Sequence, residues 1–211
     1  MEDISATLLN KEGKKTMYIS LDFEATCIEP TPEDFVSEII EFPVQVLNEN
    51  LKEIAKYRIY ARPTINPTLT DFCTNLTGIT QEQVNKAPTL DYVIDTMDKF
   101  IRCMTRPHDV VCLTYGDWDI NICLRSEIEK KGIPMLDYLR KWINVKAEFH
   151  KFADLQGLPK KLGLNDALAH YGMTFQGNQH CGMDDTINTT RLLKEMISRG
   201  YKLENAEIKH Y

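Results

Sequence analysis

The sequence predicts an α/β domain of three layers, in which helices flank a central mixed β-sheet. Two apolar segments with strand character, Met17–Phe23 and Asp109–Tyr115, alternate along the chain with segments of helical periodicity. Two further strand-like segments, Glu38–Leu47 and Leu51–Ala61, are separated only by the turn-like Asn48–Asn50. This second pair predicts a hairpin that extends the sheet in the antiparallel sense.

The individual elements follow from local signals in chain order. Met17–Phe23 carries apolar residues on both faces, which is typical of a central strand. Thr89 stands where an N-cap is expected, and Gly132 where a helix should end. The predicted helices are two short ones between Pro63 and Pro88, followed by Leu90–Cys103, Trp118–Lys131, Leu162–Tyr171 and Gly182–Arg199.

The domain organisation is simple. No repeat or Gly/Ser/Pro-rich linker divides the 211 residues, so we expect one domain over residues 17–203, between an N-terminal tail, residues 1–16, and a C-terminal tail, residues 204–211. The chain shows neither the apolar region of a signal peptide nor a run of about 18 apolar residues. The sequence therefore predicts an intracellular protein without a membrane partner, and its six cysteines are expected to be reduced thiols.

The charge balance restricts the class of function. A net charge of −6 excludes a protein that coats nucleic acid through bulk electrostatics. It does not exclude a nuclease, because an enzyme that holds only the end of a strand needs few phosphate contacts and bound divalent ions add positive charge. We interpret the basic residues Lys14, Lys15, Lys151, Lys160 and Lys161 as solvated surface.

Two acids lie at the end of the first strand, in the stretch ISLDFEAT, Ile19–Thr26. Residues i and i+2 of a strand point to the same face, so Asp22 and Glu24 project together while Phe23 turns towards the packing. Sites in α/β sheets gather beyond the carboxyl ends of strands. A strand edge that meets solvent would give the same pattern, so the pair alone leaves both interpretations open.

A second pair of acids follows the second buried strand. Asp117 and Asp119 flank Trp118 in the stretch LTYGDWD. Asp117 is suited to cap the following helix, whereas Asp119 falls in its first turn, where the helix dipole favours an acid. Sequence spacing does not choose between the two.

The third acidic position lies near the start of the last long helix. Helical periodicity puts Asp184 on a polar stripe with Asn188, Arg191 and Glu195, so we expect Asp184 to be solvated. Asp185 falls on the stripe that merges with the apolar face. A carboxylate there is costly unless something pairs with it.

Convergence of these inward acids would require protons or cations to relieve their repulsion. An all-oxygen donor set suits Mg²⁺ or Mn²⁺ rather than structural zinc. Two such ions, about 3.5–4 Å apart, are the arrangement used for in-line displacement at phosphorus. His180, just before the last helix, is then placed to act as a general base, although a lone histidine is more often structural.

Taken together, three motifs resemble the DEDDh 3′-to-5′ exonucleases of the RNase H-like superfamily. They are DFEAT at residues 22–26, WD at residues 118–119, and the H-x4-D spacing of residues 180–185. Three longer stretches resemble the subfamily of enhanced-RNAi and histone-mRNA exonucleases: EIIEFPVQVLN at residues 38–48, LTDFCTNLTGIT at residues 69–80 and HCGMDDTINTTRLL at residues 180–193. The resemblance runs from about Met17 to Lys202.

The resemblance implies an RNase H-like three-layer domain and assigns a role to each site residue. Two divalent ions, Mg²⁺ or Mn²⁺, would be held by Asp22, Glu24, Asp119 and Asp185, with His180 as the base. Contacts to the terminal nucleotide would come from the backbone at Ala25 and Thr26 and from stacking by Phe23, Trp118, Phe72 or Leu76. For Phe23, strand alternation equally favours a core position.

The implied reaction is metal-dependent removal of nucleoside 5′-monophosphates from the 3′ end of single-stranded RNA. Because His180 must be neutral to accept a proton, activity is expected to rise as pH increases through its titration. Two alternatives remain open at this point. One is a DNA-directed 3′-to-5′ exonuclease of the same fold, and the other is a catalytically silent RNA-binding or scaffold protein.

Overall fold

A single mixed sheet forms the centre of the computed structural model, which describes residues 15–153 and 162–211. Its strands are β1 (Thr16–Ser20), β2 (Glu24–Ala25), β3 (Ile39–Leu47), β4 (Glu53–Tyr60), β5 (Asp109–Thr114), β6 (Lys141–Asn144) and β7 (Ile208–His210). The spatial order is β2-β3-β1-β5-β6-β7, and β4 pairs with β3.

The pairing directions make the sheet mixed. β1, β5 and β6 are parallel to one another, while β3, β4 and β7 each run antiparallel to a neighbour. The predicted hairpin is confirmed: β3 and β4 pair from Glu41 opposite Tyr60 to Leu47 opposite Glu53. The carboxyl ends of the parallel strands β1 and β5 therefore lie side by side at one edge of the sheet.

Helices cover both faces of the sheet. They are α1 (Asp71–Thr77), α2 (Gln81–Lys86), α3 (Leu90–Thr105), α4 (Arg125–Lys131), α5 (Val145–Phe152), α6 (Leu164–His170) and α7 (Gly182–Ser198). A π-helical segment, Trp118–Leu124, precedes α4, and two 3₁₀ turns occupy Asp137–Arg140 and Leu203–Asn205.

Two large apolar clusters, one on each side of the sheet, confirm the three-layer prediction. One packs α3 and α4 against the sheet through residues such as Met97 and Ile128. The other packs α5, α6 and α7 through Phe149, Leu168 and Leu192. A third, smaller cluster lies beneath α1 and α2.

Several boundaries differ from the sequence prediction. The first strand ends at Ser20, and pairing with β3 resumes at Glu24 in the same register and shifts only between Glu24 and Ala25, so Asp22 and Phe23 lie in a break of the strand. The short elements β6 and α5 were not predicted, since the four residues of β6 show too little alternation and the eight residues of α5 span only about two helical turns. Thr89 occupies the N-cap of α3, but its side chain makes no capping hydrogen bond.

The predicted C-terminal tail contains a strand that the sequence did not indicate. Residues 208–210 form β7, an edge strand that pairs with β6, so part of the segment 204–211 belongs to the sheet. A three-residue strand has no detectable periodicity in the sequence. The domain limits 17–203 remain a prediction, and residues 1–14 of the predicted N-terminal tail lie outside the described residues.

The basic residues interpreted as solvated surface take part in ion pairs where the structure describes them. Lys15 pairs with Glu49, and Lys151 pairs with both Glu148 and Glu207. Lys14, Lys160 and Lys161 lie outside the described residues. All six cysteines are described, and each is a free thiol. None of the described helices combines the length and the apolar character needed to cross a membrane.

Candidate active site

Three carboxylates converge at the end of β1. One oxygen each from Asp22, Glu24 and Asp185 can be chosen such that all lie within 4.8 Å of one another. Asp22 lies in the break after β1, Glu24 opens β2, and Asp185 sits in the first turn of α7. The predicted convergence of two neighbouring acids with one from a late helix therefore occurs in the structure.

Asp119 joins this group from the adjacent strand end. It is buried in the first turn of the π-helical segment, and its Oδ1 accepts a hydrogen bond of 2.8 Å from the backbone N–H of Phe23. Its negative charge raises the pKa values of both Asp22 and Glu24, so it lies close to both. The wide turn of a π-helix, common at functional sites, brings Asp119 inward directly after β5.

Asp117, the alternative to Asp119, has a structural role. Its Oδ1 accepts a hydrogen bond of 2.8 Å from Trp142 Nε1, and its Oδ2 lies 2.7 Å from Lys209 Nζ. Burial alone would raise the pKa of Asp117, but the hydrogen bonds from Lys209 and Trp142 hold it below its usual value. The carboxylate is thus neutralised at the base of the segment that carries Trp118 and Asp119.

Burial and mutual repulsion keep protons on the converging acids. The pKa of Glu24 rises to about 9 through burial and the charges of Asp185, Glu41 and Asp119. Burial raises the pKa of Asp119 to about 6 and that of Asp185 to about 7. The pKa of Asp22 lies well above its ordinary range for the same reasons. At neutral pH, the four acids therefore cannot all be ionised unless positive charge is added to the cluster.

His180 faces the same site from the loop before α7. It lines a cleft of about 470 Å³ together with Asp22 and Asp185. It is exposed to solvent, and its backbone has a φ of 61°, a left-handed conformation in which histidine is enriched. The cleft thus places an accessible imidazole beside two of the three clustered carboxylates.

The first residue of α7 lets the helix approach β1. A Cβ atom on Gly182 would lie 2.5 Å from the backbone oxygen of Asp22 and 3.1 Å from Pro43. The Gly182 N–H also donates to Oε2 of the buried Glu41 across 3.3 Å, and Glu41 pairs with Arg58. This close approach brings the Asp185 carboxylate to Asp22.

We expect Gly182→Ala to damage both stability and activity. The Asp22 carbonyl is backbone and cannot move aside cheaply, so the added methyl group forces α7 away from β1, at a cost of about 1–3 kcal/mol. Thermal unfolding and nuclease assays test this. Gly163→Ala is the matched control for Tm, because its Cβ would meet no atom closer than 3.8 Å. Equal Tm values for the two variants would contradict the argument.

The polar stripe predicted for α7 is partly wrong. Asp184 is half-buried, and its Oδ2 accepts the N–H of Asn178 at 2.9 Å. Asn188 is fully buried and hydrogen-bonds both the N–H and the carbonyl of Gln176. The segment before α7 packs over this helix face, a tertiary contact that helical periodicity does not reveal. Asp185 nevertheless faces inward as predicted.

The residues predicted to bind substrate divide into two groups, of which the first is buried. Phe23 is 3% exposed and packs edge-on against Phe42 at a ring distance of 4.5 Å, which contradicts a stacking role for its ring. Ala25 and Thr26 are also buried, and Thr26 is held by two hydrogen bonds with the backbone of Glu38. Only their backbone is suited to contact a nucleotide.

The second group is exposed. Trp118, Phe72 and Leu76 have exposed fractions of 42%, 41% and 37%. Phe72 and Leu76 are one turn apart on α1, which is attached to β2 through a hydrogen bond from Cys73 Sγ to the Ala25 carbonyl. Trp118 and Phe72 remain predicted stacking residues, and Leu76 remains a predicted substrate contact.

Sequence reasoning missed Glu41, Tyr115 and Lys146. Glu41 is a buried acid whose charge raises the pKa values of Asp22, Glu24 and Asp185. Tyr115 and Lys146 line the cleft beside His180. A signal was available for Glu41, since an acid within the apolar run of β3 needs a partner. Nothing in the sequence pattern indicates Lys146.

Comparison with known proteins agrees with the geometry. The family model described as exonuclease (RNase_T) matches residues 19–193. The chain belongs to the exonuclease family. Both strand ends that carry the clustered acids, and the start of α7, lie within the matched range.

The chain has curated relatives at about one-third identity. It is 36% identical over 193 residues to human 3'-5' exoribonuclease 1, covering 90% of this chain and 55% of that protein. It is also 36% identical over 188 residues to human ERI1 exoribonuclease 3, covering 87% and 54%. The chain thus spans about half the length of the curated relatives it matches.

A solved structure supports the same subfamily. The nuclease domain of 3'hExo, a DEDDh family member bound to rAMP, has a TM-score of 0.83 and 34% identity to this chain. The likeness covers 92% of this chain and 96% of that domain. The predicted resemblance to the DEDDh exonucleases and the predicted RNase H-like fold are both confirmed.

The residues present fit divalent metal ions. The converging donors are all carboxylate oxygens, the set preferred by hard cations. Asp185 Oδ2 is buried without a hydrogen-bond partner, and among the described residues no ion pair involves Asp22, Glu24 or Asp185. Cations would satisfy this oxygen and relieve the repulsion.

Proposed function

We propose that this chain is a metal-dependent exonuclease that removes nucleoside 5′-monophosphates from the 3′ end of single-stranded RNA. The convergence of Asp22, Glu24 and Asp185 in the cleft that also holds His180 carries the proposal. The names of the relatives, which are exoribonucleases, favour RNA over DNA.

Each clustered acid has a part in this function. Asp22, Glu24, Asp119 and Asp185 would together hold two divalent cations, and Mg²⁺ and Mn²⁺ both suit these oxygens. Such ions, when bound, supply positive charge for the negative charge that develops on the phosphoryl oxygens. The hydrogen bond from the Phe23 N–H fixes one Asp119 oxygen and leaves the other for this purpose.

His180 is the proposed general base. Its imidazole, exposed in the cleft, accepts a proton from the attacking water and delivers it to solvent afterwards. Trp118, Phe72 and Leu76 would contact the terminal base: an exposed aromatic ring stacks on any base with about 1–3 kcal/mol, and Leu76 would add apolar contact. Such stacking needs no sequence preference.

A time course with end-labelled substrates tests the proposal. We expect 5′-labelled single-stranded RNA to shorten stepwise and 3′ label to appear early as a mononucleotide, in Mg²⁺ or Mn²⁺ but not in EDTA. His180→Ala should slow both processes. Faster cleavage of matched DNA would favour the DNA-directed alternative. Retained RNA binding without cleavage in either metal would favour the silent binding protein.

A further inference from the structure

The cleft beside the clustered carboxylates contains one strong cation. Its wall includes Asp22, Asp166 and Asp185, and Lys146 is the only lysine or arginine among the described residues that line it. Lys146 lies in the first turn of α5 and is partly buried. A lysine in an acidic cleft is the group that a phosphate would contact first.

Lys146 is positioned by an aromatic ring and not by an acid. Its Nζ lies 5.6 Å from the ring centroid of Tyr115, whose hydroxyl donates a hydrogen bond of 3.0 Å to the Leu162 carbonyl. None of the ion pairs among the described residues involves Lys146, whereas Lys151 on the same helix pairs with Glu148 and Glu207. The N–H groups of the Lys146 ammonium are therefore available to donate hydrogen bonds to a ligand.

The sheet order places Lys146 across the carboxylates from α1. Helix α1, with Phe72 and Leu76, belongs to the apolar cluster that includes Ile40 of β3 and Tyr60 of β4 on one side of β1, whereas α5 follows β6 on the other side. The carboxylates at the end of β1 lie between them. A strand whose terminal base rests on α1 and whose scissile phosphate meets the carboxylates must emerge on the side of β5 and β6.

We infer that Lys146 binds the backbone phosphate immediately upstream of the scissile one and so positions the incoming strand. This inference rests on the proposed function and adds a subsite to it. The ligand is a phosphodiester of the polynucleotide backbone, so the contact is independent of base identity. It acts only on substrates long enough to carry that second phosphate.

Short oligonucleotides isolate this phosphate. A dinucleotide has only the scissile phosphate, whereas a trinucleotide with a 5′ hydroxyl has one more, at the position assigned to Lys146. We expect wild-type kcat/KM for release of the 3′ nucleotide to be about tenfold higher on the trinucleotide, the size of one charge-assisted hydrogen bond. In Lys146→Gln this advantage should disappear, and in Lys146→Arg it should persist.

The control is Lys151→Gln, which removes a charge from the same helix outside the cleft and should leave the tri-to-dinucleotide ratio unchanged. An unaltered ratio in Lys146→Gln would overturn the inference. Equal losses on both substrates would also overturn it, because they would mean that Lys146 serves the scissile phosphate or the fold.

A binding measurement separates this inference from the proposed function. Fluorescence anisotropy with a labelled eight-nucleotide RNA requires no cleavage. We expect Lys146→Gln to bind about tenfold more weakly and to reduce the slope of log Kd against log salt by about 0.7, the value for one phosphate contact on a single strand. If wild-type protein cleaved neither the short oligonucleotides nor end-labelled single-stranded RNA, the proposed function would fail while this result supported the subsite. Unchanged affinity and slope would refute the subsite.

Discussion

Asp185→Asn is expected to lower kcat/KM on RNA by about a thousandfold while the protein remains folded. The substitution keeps the size of the side chain but replaces a carboxylate oxygen of the three-acid cluster with an amide group. The amide carries no charge and turns a hydrogen-bond donor towards the position of a cation. Asp185 Oδ2 has no hydrogen-bond partner, and the charge of Asp185 raises the pKa of Asp22, so removing this charge relieves repulsion within the metal-free cluster.

The adjacent residue provides a matched control. Asp184→Asn makes the same chemical change one position earlier, and its amide oxygen can still accept the N–H of Asn178. We expect its kcat/KM to stay within about twofold of wild type and its Tm to change little. Initial rates and thermal unfolding of both variants measure the difference. Equal losses in the two variants would contradict the assignment of Asp185, and not Asp184, to the metal site.

The sequence predicted the acidic centre because the period of each element determines which side chains share a face. Alternation placed Asp22 and Glu24 together, and helical periodicity turned Asp185 inward. Both inferences are confirmed even though the first strand breaks at Asp22, because β1 and β2 pair with the same neighbour, β3, in one register up to Glu24. Local spacing was sufficient because Asp22 and Glu24 are only two residues apart and the position of Asp185 depends on a single helix.

Contacts between distant segments were not predictable in this way. Asp117 accepts hydrogen bonds from Trp142 and Lys209, which lie 25 and 92 residues further along the chain. Asn188 is buried by the segment that precedes its own helix, and Glu41 by the start of α7. The choice of Asp119 over Asp117 came from family resemblance, and the structure supplies the physical reason for it.

The metal-free protein should become less stable as pH rises. Folding raises the pKa of Glu24 to about 9, that of Asp185 to about 7 and that of Asp119 to about 6, all above the values of about 4 in an unfolded chain. The folded state therefore binds more protons than the unfolded state between about pH 4 and pH 9. Linkage then requires the free energy of unfolding to fall with pH across this window.

Thermal unfolding in EDTA measures this effect. One unit of pKa shift corresponds to about 1.4 kcal/mol, and 1 kcal/mol moves Tm by about 2–4 °C for a domain of this size. We expect Tm to be about 10–20 °C lower at pH 8.5 than at pH 6. Asp185→Asn should reduce this difference, because it removes one of the titrating groups and its charge.

Divalent ions should reverse the loss of thermal stability at high pH. Cations replace protons as the neutralising charge, and they bind the folded state alone, so Mn²⁺ or Mg²⁺ should raise Tm more at pH 8.5 than at pH 6. In Asp185→Asn the metal-induced rise should be smaller at both pH values. A Tm that is independent of pH in EDTA, or a metal effect equal at both pH values, would mean that the clustered carboxylates are ionised without cations. The repulsion inferred from their burial would then be absent, and with it the physical reason for assigning the metal site to these residues.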